Sequence, residues 1–260
     1  MILGISGNFK GHLDPLNQED NDVDIPRCMF PIYAKGIGGY LSVYPVSKEY
    51  LRITNSYNYQ IEPEISLFLD VKYENGKVFS LNATHYTLFN DCSIRNDNIK
   101  RIALKKNWGK CSKGAYLKAI PLLSYSEGSA LEKLRIVSFL KRDNVLHQYT
   151  EDCAITEYTF KYEKLLSWIK ETINNQEETE VKDNLINMLR TCHFPESIQV
   201  AIGATRYTDY GKGNFLKHGD EVFILLYEND KYDKEKIEQI IVDDRLGMVD
   251  IVNICQKVIL

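Results

Sequence analysis

Residues 61–74, Ile-Glu-Pro-Glu-Ile-Ser-Leu-Phe-Leu-Asp-Val-Lys-Tyr-Glu, alternate apolar and polar side chains almost without a break and run straight into Asn75-Gly76. Alternation with a period of two marks an extended strand with one buried face; a helix would scatter the same residues around its circumference. Asn-Gly is the strongest short signal for a tight hairpin turn. A long strand that doubles back on itself therefore constrains the rest of the fold. Ile61, Pro63, Ile65, Leu67, Leu69, Val71 and Tyr73 share one face, and Glu62, Glu64, Ser66, Asp70, Lys72 and Glu74 the other, with Phe68 as the exception. Glu62 and Glu64 then stand side by side, their Cα atoms roughly 6.6 Å apart at strand rise. Parallel carboxylates repel unless a cation lies between them, so the pair is a candidate metal site. Taken alone it is a weak one, because acidic i, i+2 pairs more often mark a solvated strand face.

The composition agrees with a strand-rich globular protein. The 260 residues, 44% hydrophobic and 26% charged, suffice for one large domain with a substantial core, and no linker divides them. Seventeen tyrosines and ten phenylalanines suit pleated, half-buried surfaces. A net charge of -4 argues against a general nucleic-acid binder. The N-terminus lacks the basic lead of a secretory signal, and no apolar run is long enough to span a bilayer. The six cysteines show no C-x-x-C spacing, so reduced thiols and a cytoplasmic location are expected, with no membrane partner.

Further elements follow from local pattern. Met1–Ser6, Met29–Ala34 and Tyr40–Val46 read as strands, as do a return strand from Val78 and a separate one over Thr84–Ile94. Leu134–Leu140 and Val145–Thr150 flank a turn at Arg142-Asp143-Asn144 and predict a second hairpin. The spacing of Leu165, Leu166, Ile169 and Ile173 predicts a helix over Tyr162–Ile173, with Trp168 packed; a shorter helix is expected over Lys182–Thr191. Val200–Gly203 and Glu221–Tyr227 read as strands around a Gly-rich loop. A charged helix starts the tail after Asp230, and the last fifteen residues fit strand or helix.

Asp91 strengthens the metal reading. It lies in Asn90-Asp91-Cys92-Ser93-Ile94-Arg95, on a face able to meet Glu62 and Glu64 if the two strands are neighbours. Three carboxylates without histidine favour Mg2+, Mn2+ or Ca2+ over Zn2+. The surrounding motifs then fall into a recognisable order: Gly7-Asn8-Phe9-Lys10-Gly11-His12, Glu62-Pro63-Glu64, Asn90-Asp91-x-Ser93-x-Arg95, Lys106-Asn107-Trp108-Gly109, a hairpin ending in Gln148, and Gly203-Ala204-Thr205-Arg206 followed by Leu216-Lys217-His218-Gly219-Asp220. In this order the chain resembles the fumarylacetoacetate hydrolase superfamily, and within it an uncharacterised bacterial branch, over roughly residues 1–228.

The resemblance implies a single α+β catalytic domain over 1–260. Its core is a mixed, rolled β-sheet with a few peripheral helices, and 229–260 form an extension atypical of the family. Glu62, Glu64 and Asp91 would hold one divalent ion, Mg2+ foremost, which stabilises an enolate of a small 2-oxo or 1,3-dioxo acid. His12 would be the general base, and Lys106 (or Lys105) and Gln148 would bond the substrate or its oxyanion. Arg95 and Thr205 would hold the substrate carboxylate, with Arg206 an extra cation in the pocket. The reaction would be C–C hydrolysis, decarboxylation or tautomerisation, by a hydrolase or lyase that is a homodimer.

One departure bears on activity. Relatives often pair the lid histidine with a Glu three positions on, where this chain has Pro15; Asp14, Glu19 or Asp20 are candidate substitutes. Its absence favours an alternative, a catalytically silent protein that binds a metal and a small carboxylate. The remaining histidines (85, 147, 193 and 218) read as surface or hydrogen-bonded residues, and the basic stretch Lys100–Lys113 as a solvated face or an anion-binding rim. No G-x-x-x-x-G-K-[ST] phosphate loop and no Cys–His nucleophile spacing is present.

Overall fold

The computed structural model describes residues 1–12 and 25–260, and it contains the expected hairpin. Pro63–Glu74 pairs antiparallel with Lys77–Asn90 along its whole length. Asn75 (φ 51°) and Gly76 (φ 75°) both take the left-handed conformation that a two-residue turn between twisted strands requires. The return strand has 14 residues against 12 and accommodates the difference by bulging at Phe79 and Thr84. The Thr84 bulge also explains why the predicted separate strand over Thr84–Ile94 belongs to the return strand: pairing resumes beyond it as far as Asn90.

This hairpin is central to a mixed sheet with the order Cys28–Tyr33, Ile2–Ser6, Ser197–Ala201, Pro63–Glu74, Lys77–Asn90, Lys113–Ala115, Val46–Ser47. Ile2–Ser6 and Ser197–Ala201 run parallel, whereas the neighbours of the long hairpin are antiparallel. A second sheet orders Val145–Gln148, Leu134–Arg142, Glu221–Glu228, Val252–Ile259 and Tyr50–Arg52. The two share one core, to which Leu3, Ile65, Leu67 and Leu69 contribute from the first sheet and Ile136, Leu140, Ile224 and Ile254 from the second. With five α-helices among the described residues, the architecture is α+β, as expected.

Both faces of the first sheet are covered near the start of Pro63–Glu74. Alternation therefore holds only in the distal half, where Asp70, Lys72 and Glu74 are exposed. Glu62, Glu64 and Ser66 are buried. Around them Phe30, Phe89, Ile102 and Ala115 form a second apolar cluster.

The helix over Tyr162–Asn175 buries Leu165, Ile169 and Ile173, with Trp168 packed against the core. The shorter helix begins at Leu185, capped by Asn184. Tyr40–Val46 is not a strand. Gly38 (φ 81°) and Gly39 (φ 60°) turn the chain into a single 3-10 turn, leaving Val46–Ser47 extended. The last residues form strand Val252–Ile259, paired with Glu221–Glu228, and helix Lys234–Val242 covers the outer face of that sheet through Ile237, Ile240 and Ile241. No helix of the described residues is long and apolar enough to cross a membrane.

Candidate metal centre

The hairpin's open end lies opposite its turn, and there the strands hand over to a short ladder of Tyr59–Gln60 with Ser93–Ile94. Glu64 sits opposite Phe89, and the Asp91 amide donates to the Glu62 carbonyl at 2.9 Å. Glu62, Glu64 and Asp91 therefore project from adjacent positions toward one point. One carboxylate oxygen from each lies within 4.8 Å of the others, and all three residues are buried. Glu62 and Glu64 line a cleft of about 530 Å³ including its open mouth, together with Phe9, His12, Phe30, Arg95, Lys105 and Lys106.

Cations surround the triad. Lys106 Nζ bridges Glu62 Oε2 at 2.5 Å and Asp91 Oδ2 at 2.6 Å. Arg95 Nη2 donates to Glu62 Oε1 and, at 2.8 Å, to the Tyr207 hydroxyl. Lys113, fully buried, lies 3.2 Å from Asp91 Oδ1 and donates to the Cys92 carbonyl. Ser93 Oγ adds a bond to Glu62 Oε2 at 2.8 Å.

The electrostatics divide like groups. Burial opposes the Glu62 charge, but Arg95 and Lys106 outweigh it and hold this carboxyl well below the ordinary range. Glu64 moves the other way, raised well above that range by burial and by Asp91, although the Gly203 amide bonds its Oε2 at 2.8 Å. Burial likewise opposes the Lys106 charge and is overcome by Asp91 and Glu62, whereas burial lowers the Lys113 amine despite Asp91.

The residues fit a divalent ion. All the carboxylate donors are hard oxygens, and Asp91 Oδ1, near Lys113 but outside hydrogen-bond geometry, is a buried acceptor without a donor. Glu64 gives this fit a measurable signature. Its folded pKa lies above the unfolded one, so its contribution to ion-free stability is full below the unfolded pKa and is lost as pH rises through the folded value. An ion that engages Glu64 binds its carboxylate form, which the raised pKa makes scarcer as pH falls. Affinity for Mn2+ is expected to rise with pH, with net proton release on binding; calorimetry in buffers of different ionisation enthalpy detects that release, and a pH-independent affinity would contradict it.

His12 is held from both sides. Its Nδ1 lies 2.7 Å from the Thr205 carbonyl, which only accepts, so Nδ1 carries the proton and Nε2 faces Glu62 Oε1 at 3.6 Å. Asn8 anchors the loop, with its side chain bonded to Ile202 O, Phe160 O and Phe160 N. Gly203 (φ 117°) lets the facing turn pass Asn8, where a Cβ would lie 3.2 Å from the Asn8 Cβ. Asn107 fixes the short helix Ile102–Lys106 by bonding Ile32 O and Val43 O, which sets Lys106 rather than Lys105 between the carboxylates.

The structure thus brings together Glu62, Glu64, Asp91, Arg95, Lys106 and His12. Thr205 joins them through its carbonyl; its Oγ1 is buried without a partner. Gln148 and Arg206 do not line the cleft. Gln148 bonds Thr150 O, and the Arg206 guanidinium is held by Glu151 and Glu157, each at 2.6 Å, over the Phe9 ring. Arg95 faces the cleft; its Nη2 is committed to Glu62 and Tyr207, because a buried carboxylate needs a counter-charge, while its Nε is buried without a partner. Pro15, Asp14, Glu19 and Asp20 lie outside the described residues. The basic stretch is not a uniform solvated face, since Lys105, Lys106 and Lys113 are buried. Sequence reasoning missed Lys113, Tyr207 and Gln256, and gave Asn8 no role. Only Asn8, inside a recognised motif, carried a signal.

The family described as a family of unknown function (DUF5718) matches residues 14–258. The chain belongs to that family. No curated protein matches it by sequence. Among solved structures, 2-keto-3-deoxy-D-arabinonate dehydratase complexed with magnesium and 2,5-dioxopentanoate is similar at 14% identity and a TM-score of 0.55, over 99% of this chain and 72% of that one. A candidate fumarylacetoacetate isomerase/hydrolase from Oleispira antarctica is similar at 13% identity and a TM-score of 0.53, over 99% and 92%. For 2-hydroxyhepta-2,4-diene-1,7-dioate isomerase from Mycobacterium marinum the values are 11%, 0.54, 99% and 73%. At these identities the likeness is one of fold, shared with a dehydratase, a candidate fumarylacetoacetate isomerase/hydrolase and a dienedioate isomerase.

Proposed function

We propose that this DUF5718 member is a divalent-metal-dependent enzyme acting on a small 2-oxo or 1,3-dioxo carboxylic acid. The observation that carries the reading is the buried triad Glu62, Glu64 and Asp91, of which Glu62 and Glu64 line one cleft together with His12. Similarity to a dehydratase held with magnesium and 2,5-dioxopentanoate, and to an isomerase, supports it. Mg2+ suits the donor set, with Mn2+ or Ca2+ as alternatives. When bound, the ion would polarise the oxo groups and stabilise the enolate that C–C hydrolysis, decarboxylation, tautomerisation and dehydration share.

The chain's own residues supply the rest. His12, its tautomer fixed by Thr205, offers Nε2 as the general base. Lys106 supplies a cation for a developing oxyanion. Phe9, Phe30 and Ile102 wall the cleft against water. Arg95 positions Glu62, while Gln148 and Arg206 would contact substrate only after leaving their present partners. The reading carries with it a homodimer in the cytoplasm, where six free cysteines are at home.

A second reading is a binding protein without turnover. It is favoured by the commitment of Arg95 to Glu62 and of Arg206 to Glu151 and Glu157, so that both guanidiniums near the site already hold carboxylates. A screen of acylpyruvates and oxaloacetate with Mg2+ or Mn2+ separates the two. The enzyme reading expects turnover of at least one, abolished by EDTA. Stabilisation by a diketo acid that needs the metal, without turnover of any, would leave the binding protein.

A further inference from the structure

The triad carries three formal negative charges, and three cationic side chains already sit on it: Arg95, Lys106 and Lys113. They are not equivalent. Lys113 has no solvent exposure and also donates to the Cys92 carbonyl, so it is locked beneath Asp91. Arg95 is anchored by the Tyr207 hydroxyl, which itself bonds the Ile61 carbonyl at 2.8 Å. Lys106 lines the cleft, and both of its hydrogen bonds among the described residues go to carboxylates, one each from Glu62 and Asp91. Its ammonium also lies 4.8 Å from the centre of the Phe30 ring, on the wall of the same cleft.

We propose that the Lys106 ammonium is a built-in stand-in for the divalent ion, and that metal loading is what releases this lysine to face substrate. The inference rests on the triad's being a metal site, as argued above. Without a cation the buried carboxylates would repel one another and draw water inward; the ammonium holds Glu62 and Asp91 together in the ion-free protein. A divalent ion at the triad adds two positive charges where the ammonium already satisfies two of its ligands. Repulsion and competition for the same carboxylates expel Nζ, while Arg95 and Lys113, fixed by their neutral partners, stay. The stand-in keeps the ligands arranged when empty and weakens the net affinity for the ion. It also couples the two halves of the chemistry: a lysine bound to Glu62 and Asp91 has two of its three donors occupied and its charge neutralised, and turns fully to a substrate oxygen only once the ion has arrived.

Two measurements on the full chain test this. Calorimetric titration with MnCl2 compares wild type with Lys106→Met. Acetylation of Lys106 by acetic anhydride, quantified by mass spectrometry, is followed in wild type with and without Mn2+. The expected results are binding at least about tenfold tighter in Lys106→Met and Lys106 labelling that increases several-fold when Mn2+ is present. Support requires both. Equal or weaker binding by the variant, or labelling that Mn2+ leaves unchanged or reduces, while wild type binds Mn2+, overturns the stand-in and leaves the metal site intact. Failure of both proteins to bind Mn2+ removes the metal site itself. Should Lys106→Met not fold, Lys106→Gln serves the same comparison, and the labelling arm needs no variant.

Discussion

Asp91→Ala lowers the stability of the ion-free protein by about 3–5 kcal/mol and abolishes its stabilisation by Mn2+. Asp91 is the counter-charge for a lysine with no solvent exposure and half of the bridge that holds Lys106. Truncating it leaves the Lys113 amine buried without an anion, and burial already lowers that amine's pKa in the intact site. At about 2–4 °C per kcal/mol for a chain of this size, thermal unfolding should move down by roughly 6–20 °C. The double variant Asp91→Asn with Lys113→Met removes both charges and should recover much of the loss without restoring the metal response. A loss under about 1 kcal/mol would mean that Lys113 finds another partner, against the geometry described. Glu62→Ala is expected to abolish the metal response too; a wild-type response to Mn2+ in both single variants would sink the triad as a metal site.

Gln256→Leu is the second large effect, about 2–4 kcal/mol of destabilisation with impaired metal binding. Gln256 lies on Val252–Ile259 and is buried. Its Oε1 accepts from Asn90 Nδ2 at 2.9 Å, and its Nε2 reaches the carbonyls of Ser47, Tyr50 and Lys113. Asn90 in turn uses Oδ1 to hold the Glu62 amide at 3.2 Å. Leucine keeps the volume but leaves a buried amide and several carbonyls without partners, next to the backbone that carries Glu62 and Lys113. The approach is tight enough that a Cβ on Gly114 would lie 2.3 Å from Gln256 Oε1. Gly114→Ala should therefore reproduce part of the loss. Chemical denaturation reports the first effect and Mn2+ titration the second, and a Gln256→Leu protein as stable as wild type would show the network to be dispensable.

The hairpin, the helix over Tyr162–Asn175 and the carboxylate triad were legible because their signals are local or repeated. Alternation in Ile61–Glu74, the Asn75-Gly76 turn and the spacing of Leu165, Ile169 and Ile173 each express one backbone periodicity, which any partner would have to accept. Tyr40–Val46 misled because its apolar content resembled a strand, while the backbone of Gly38 and Gly39 set its path. Lys113 read as part of a basic, solvated stretch, since nothing near it in sequence announces Asp91 as its partner. Gln256 is separated from Asn90 by 166 positions, and no periodicity records such a contact.

The sequence by itself determined that a long strand must turn back at Asn75-Gly76, that Glu62 and Glu64 must share a face, and that Asp91 could join them. Only the tertiary structure decided which charges meet there. Burial at the hairpin's open end removes water from Glu62, Glu64 and Asp91, and ions deprived of water must be matched by whatever cations the fold delivers. Those cations come from a short helix, a neighbouring strand and the loop beyond the hairpin, set in place by Asn107, Gln256 and Tyr207. The alternation that begins as a solvated pattern thus ends in a buried, cation-filled site, because long-range packing, not local pattern, determines where water is excluded.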